Sequence, residues 1–221
     1  MQDPERIAHQ NMETNEYLIN RFNIDISKPS PFRVICDRVE VLPVIFKELG
    51  FTSGAEIGVL YGEYSEKLCK ALPDTQIYSI DPWRFYPVHN NFRKEWRYEP
   101  MYQRVVKFLA PYKNSHIIRK PSVEAAQDFP NDSLDFVFID GDHRFQAVTN
   151  DIAEWTKKVR IGGIIAGHDF VRGASETDYV HILQVVPAWC DAYKIHPWFI
   201  LEGNYRQGRS WMWVKTRNVP I

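Results

Sequence analysis

Residues 139–143 read Ile-Asp-Gly-Asp-His, and residues 167–170 read Gly-His-Asp-Phe. Acids and histidines at such close spacing suit two kinds of chemistry. Asp140 and Asp169 offer the hard carboxylate oxygens that magnesium prefers, and an imidazole from His168 beside them shifts selectivity towards manganese, iron or zinc. His143 and His168 are also candidate general bases, because an imidazole with an unperturbed pKa near ~6.5 exchanges protons at neutral pH. Asp140 joins them as a catalytic candidate. The competing reading of either histidine is a ring hydrogen-bonded to backbone or carboxylate that only fixes its loop.

A second cluster is Glu56-x-Gly58-x-x-Tyr61-Gly62-x-x-Ser65. Glycine at a strand-to-helix turn lets the backbone approach a ligand while helix N–H groups face it. The spacing differs from the G-x-G-x-x-G of dinucleotide binders, and a turn of this kind also occurs without any ligand. The segment Ile77-Tyr78-Ser79-Ile80-Asp81 supplies context: its acid, 23 residues after Gly58, ends an apolar run and is placed to accept hydrogen bonds from ribose hydroxyls. Alone, Asp81 would serve equally well to cap the following turn.

These clusters need elements to hold them. Apolar runs rich in Val, Ile and Phe, of the sort buried on both faces of a parallel sheet, occur at Ala55–Val59, Gln76–Ile80, His116–Arg119, Leu134–Ile139 and Gly163–Gly167. Helical periodicity separates them at Val39–Leu49, Tyr64–Ala71, Val123–Phe129 and Phe145–Val159, which favours right-handed β-α-β crossovers. A further helix is expected across Asp178–Ala192, then a terminal hairpin from Pro197–Leu201 and Ser210–Lys215. Residues 1–35 read as an N-terminal helical arm ahead of a single domain at 36–221. Residues 83–114 read as an aromatic-rich insert, a candidate cap over a substrate. Tyr61, Trp83, Phe85, Tyr86, Phe92, Trp96 and Tyr98 would wall it, with Arg84, His89, Arg93 and Arg97 available to an anion or to hydroxyls. Arm and insert would serve equally well as core packing or as the contact of a homo-oligomer.

Bulk properties narrow the partners. A formal net charge of −1 over 221 residues gives no broad attraction for nucleic acid or membranes, so a small-molecule substrate is the default. Cys36, Cys69 and Cys190 form no CxxC pair, which suits a reducing compartment. The first residues lack the pattern of a signal peptide, and no apolar run reaches membrane-spanning length, so a cytoplasmic location is expected.

Taken in order, the glycine turn, Asp81, Asp135-Phe136-Val137-Phe138-Ile139-Asp140, Gly162-Gly163 and the terminal hairpin make residues 36–216 resemble the class I methyltransferases. The likeness is strongest to a group with a Phe-Ile-Asp-Gly-Asp-His segment that includes small-molecule and sugar O-methyltransferases. The resemblance implies a Rossmann-like α/β fold, a seven-stranded mixed sheet with helices on both faces, and S-adenosylmethionine as cofactor. It implies that Glu56 and Gly58 flank the methionine part, that Asp81 binds the ribose, and that Pro82 and Trp83 border the adenine. Ser122 would touch the adenine edge, although an N-cap serine for the following helix explains it as well. In the metal-dependent members one acid follows the fourth strand, and an acid followed by Asp or Asn follows the fifth. Here His168 replaces the first of that pair, so Asp140, His168 and Asp169 are the expected metal ligands, for magnesium or manganese. The function implied is O-methylation of a sugar, phenol or natural-product hydroxyl. Its rivals are a nicotinamide-dependent oxidoreductase or metal oxygenase on a similar sheet, and a non-catalytic methyltransferase-like module.

Overall fold

The computed structural model describes residues 4–84, 95–173, 179–203 and 208–218, with side chains from residue 13 onward. Its strands are β1 (Phe32–Val34), β2 (Ser53–Ile57), β3 (Gln76–Ile80), β4 (Ser115–Ile118), β5 (Leu134–Ile139), β6 (Val159–Gly167), β7 (Trp198–Leu201) and β8 (Ser210–Val214). They form one sheet in the order β1-β7-β8-β6-β5-β2-β3-β4. The helices are α1 (Pro4–Phe22), α2 (Arg38–Glu48), α3 (Glu63–Ala71), α4 (Tyr98–Leu109), α5 (Ser122–Ala126), α6 (Phe145–Lys158) and α7 (Ile182–Ala192). None of the described helices is long and apolar enough to cross a membrane.

Strand alternation sorts the core into two layers. On β5, Val137 and Ile139 meet Val148, Ile152 and Trp155 of α6 and Val186 of α7. Phe136 and Phe138 point the other way, towards Leu42, Ile45 and Phe46 of α2 and Tyr64 and Leu68 of α3. The terminal hairpin obeys the same rule: Trp211 and Trp213 join the α6–α7 layer, Met212 and Val214 the α2–α3 layer. β8 runs antiparallel between β6 and β7, as the hairpin reading expects.

The α/β class and mixed sheet match the sequence expectation, but the described sheet has eight strands rather than seven. The additional one is β1, within the stretch read as an arm, which pairs parallel with β7. All four residues of β7 are buried, and leaving that strand as a bare edge would expose its backbone groups to adventitious pairing. Three residues are too few for β1 to show a period of its own in the sequence. The segment 83–114 also differs from its reading as an insert. Its second half is α4, an ordinary crossover between β3 and β4 that buries Tyr98, Met101, Val105 and Leu109 at helical spacing. Aromatic richness had hidden that period. Finally, α7 begins at Ile182; Asp178, the expected start, lies outside the described residues.

Candidate active site

Register brings the chemistry-bearing residues to one edge. Ile57 of β2 pairs with Ile139 of β5, and Ile139 pairs with Gly167 of β6, so the residues that follow them emerge side by side. The ladder continues past the strand ends through Asp140 N–H to Ile57 O at 2.7 Å, His168 N–H to Ile139 O at 3.0 Å and Gly58 N–H to Ile80 O at 2.9 Å. A cleft of about 980 Å³ opens there, at the carboxyl ends of the parallel strands, where open α/β sheets bind ligands. Its size is at the upper end of the roughly 300–1,000 Å³ of small-molecule sites, enough for a cofactor with an acceptor beside it.

At the β2–β3 end the wall is shaped by backbone. Gly58 has φ +91°, and a Cβ there would overlap the carbonyl of Asp140, so only glycine lets these strand ends lie so close. Asp81 accepts from Leu60 N–H at 3.0 Å and Trp83 N–H at 2.7 Å, and Trp83 Nε1 donates to Leu60 O at 2.9 Å. Leu60 and Trp83 sit at φ 52° and 38°, left-handed conformations costly for side chains of this bulk, and the Asp81 carboxylate holds both.

Glu56 lies beneath the turn and is buried. Ser65 donates to its carboxylate and Ser79 donates to Ser65 at 2.7 Å. Burial pushes the Glu56 carboxyl up to about 8, a rise that the Ser65 hydrogen bond and the charge of Arg38 only partly offset. Glu56, Gly58, Tyr61, Asp81, Pro82, Trp83, Ser122 and Asp140 all line the cleft. Gly62 and Ser65 stand behind it, Gly62 where the chain enters α3 at φ +81° and Ser65 fully buried.

Ser122 is the first residue of α5 rather than its cap. Its hydroxyl donates to Asp151 at 2.5 Å and accepts from Trp155 Nε1 at 2.8 Å. Burial raises the Asp151 carboxyl to about 7.

The β5–β6 end is electrostatic. His143 Nε2 lies 3.0 Å from Asp169 Oδ2 and 3.4 Å from Asp140 Oδ1; His168 Nδ1 lies 3.1 Å from Asp169 Oδ1 and 3.6 Å from Asp140 Oδ2. Asp169, at φ 51°, turns the chain so that its carboxylate faces both rings. Burial alone would raise Asp140, but the hydrogen bonds and charge of His143 and His168 outweigh it and hold the carboxyl well below the usual range. Burial likewise opposes charge on the histidines, and the two acids win: His143 is raised, and His168 rises to about 9.

Donor atoms of Asp140, His143 and Asp169 lie mutually within 4.8 Å, a set of oxygens and one imidazole that fits a divalent ion of manganese type. All four residues expected from the sequence thus converge. The imidazole in this triplet is that of His143, whereas the sequence reading named His168, which packs against the same two acids.

Of the aromatic wall, Tyr61, Trp83 and Tyr98 line the cleft, as does Arg84, whereas Trp96 is exposed and stacks with Arg97 at 5.2 Å. Phe85, Tyr86, His89, Phe92 and Arg93 lie outside the described residues. Among the cleft residues that escaped the sequence reading are Arg38 and Asp151. Both had faint signals: Asp37 before Arg38 is an N-cap residue, and Asp151 is an acid inside the apolar stripe Val148, Ile152, Trp155.

A strand-end acid, a glycine turn and a cleft in this topology define the class I S-adenosylmethionine-dependent methyltransferase fold, and comparison with known proteins agrees. A family described as a methyltransferase domain matches residues 55–170, and the chain belongs to it. The O-methyltransferase of Bacillus cereus, solved with S-adenosylhomocysteine, has the same fold at TM-score 0.62 and 15% identity, over 94% of this chain and 91% of that one. A Staphylococcus aureus protein provisionally described as a caffeoyl-CoA O-methyltransferase superposes at TM-score 0.60 and 18% identity, over 94% of both chains. An uncharacterised Sinorhizobium fredii protein, y4gI, is 28% identical over 119 residues, which is 52% of this chain but only 12% of that protein.

Proposed function

We propose that the protein transfers the methyl group of S-adenosylmethionine to a hydroxyl of a small molecule, a sugar, a phenol or a natural product, with a divalent metal assisting. The observation that carries this reading is the convergence of Asp140, His143, His168 and Asp169 within 3.6 Å contacts at the cleft edge beside the glycine turn. The O-methyltransferase descriptions of the structural neighbours point the same way.

Methyl transfer asks for alignment of an acceptor with the sulfonium carbon, about 3 Å away and shielded from water. It also asks that an oxygen acceptor lose its proton. His143 bridges both acids and can take that proton when neutral, with Asp140 and Asp169 stabilising the imidazolium that results. Where a metal is held, Asp140, His143 and Asp169 would be its ligands and His143 would not also act as the base, with His168 packed against the same two carboxylates. When bound, the ion would acidify a coordinated hydroxyl. Tyr61, Trp83 and Tyr98 give the cleft apolar wall.

The test is a radiolabel-transfer screen of phenols, sugars and hydroxylated natural products, with and without manganese. The expected result is transfer to oxygen that falls on chelation and in Asp140→Ala and Asp169→Ala. Undiminished activity and metal affinity in both variants would remove the metal from the reading. Tight binding of NAD with none of S-adenosylhomocysteine would overturn the whole of it.

A further inference from the structure

Arg38 is the first residue of α2, and the Asp37 carboxylate fixes the helix start by accepting Val39 N–H at 2.9 Å. From there its guanidinium reaches into the cleft, with Cζ 4.7 Å from the ring centroid of Tyr64 and 4.9 Å from that of Phe138. Two aromatic faces therefore set the plane of the cation. Its Nε and Nη1 are buried, and among the described residues neither has a hydrogen-bond partner. Glu56 is near enough to feel the charge, yet no ion pair joins the two. Two guanidinium nitrogens held away from water without a carboxylate are costly, and the geometry of the group matches a carboxylate bidentately.

We infer that Arg38 is the anchor for the α-carboxylate of S-adenosylmethionine. The inference rests on the cofactor assignment and adds the residue that recognises its amino-acid end. Asp81 marks the ribose position at the end of β3, and β2 lies next to it in the sheet. A cofactor laid across the glycine turn from Asp81 carries its methionyl arm over β2 towards Glu56 and Arg38. That arm ends in one ammonium and one carboxylate, and the cleft presents there one acid and one base. Recognition by Arg38 separates intact cofactor from analogues that lack the carboxylate.

The test compares S-adenosylmethionine with decarboxylated S-adenosylmethionine, which keeps the sulfonium and the adenosine, by calorimetry on the full chain and on Arg38→Gln. The wild-type protein is expected to bind the decarboxylated form about 10- to 100-fold more weakly, and Arg38→Gln to lose that preference by weakening only the intact cofactor. Arg38→Lys should recover part of it, as charge without the fork. Equal binding of both ligands by the wild type overturns the inference, and this arm needs no variant to fold. So does an equal loss for both ligands in Arg38→Gln, or unchanged cofactor affinity with a raised KM for the acceptor. If the wild type binds neither ligand nor S-adenosylhomocysteine, the cofactor assignment itself fails.

Discussion

The two ends of the cleft are built from different materials. At the β2–β3 end, position is fixed by backbone: a glycine that tolerates no Cβ, two bulky residues in left-handed conformations, and an aspartate whose oxygens hold the N–H groups of both. At the β5–β6 end, position is fixed by charge, with Asp140, His143 and His168 displacing one another's proton affinities beside Asp169. A ligand that is the same in every turnover suits a wall set by packing. A step that moves a proton suits groups whose charge can change. The contrast teaches that substitutions at one end should act on cofactor affinity and at the other on turnover.

The hardest test of the contrast is to break it at each end. Asp140→Asn should reduce turnover by about 10²- to 10⁴-fold while S-adenosylhomocysteine affinity, measured by calorimetry, changes by only a few-fold. Comparable losses in both would mean that the two ends are not separable. Gly58→Ala should cost about 3 kcal/mol or more in thermal or urea unfolding, because the added methyl meets the Asp140 carbonyl and the backbone is held at φ +91°. Asp81→Asn should weaken S-adenosylhomocysteine about 10- to 100-fold with little change in turnover at saturating cofactor. Ser122→Ala strands Asp151 and Trp155 Nε1, and a loss of about 1–3 kcal/mol in unfolding is expected.

A smaller effect sharpens the comparison through pH. Glu56 is raised from 4.5 to about 8, so the folded ligand-free protein keeps a proton that the unfolded chain has released, and stability falls as pH rises from about 4.5 to 8. His168 is raised from 6.5 to about 9: its contribution is fully present below about 6.5 and is lost as pH rises through 9. Glu56→Gln should flatten the lower part of this decline and leave the upper part. A curve unchanged from pH 5 to 8 would mean that Glu56 does not hold its proton. Manganese affinity should grow over the His168 window, since loss of the His168 charge removes repulsion beside the two carboxylates.

The fold was largely legible because Val-, Ile- and Phe-rich runs alternate with helical periods, and strand alternation did the rest. What stayed hidden was short or disguised. β1 has only three residues, and α4 carries its period under so many aromatics that it read as an insert. The site was legible where chemistry is concentrated in sequence, at Asp140-Gly-Asp-His143 and His168-Asp169. Register, which no local pattern states, made these neighbours of Gly58. Arg38 was missed because it approaches from a helix some 18 residues ahead of Glu56, and a lone arginine at a helix start has no signature of its own.

The central claim is that the methyl group is delivered to the charged end of this cleft, and a crystal structure with S-adenosylhomocysteine and manganese tests it most directly. The sulfur is expected to face the Asp140–His143–Asp169 triplet, with the manganese anomalous peak between those side chains. A sulfur turned away from them, or manganese bound elsewhere, would contradict it.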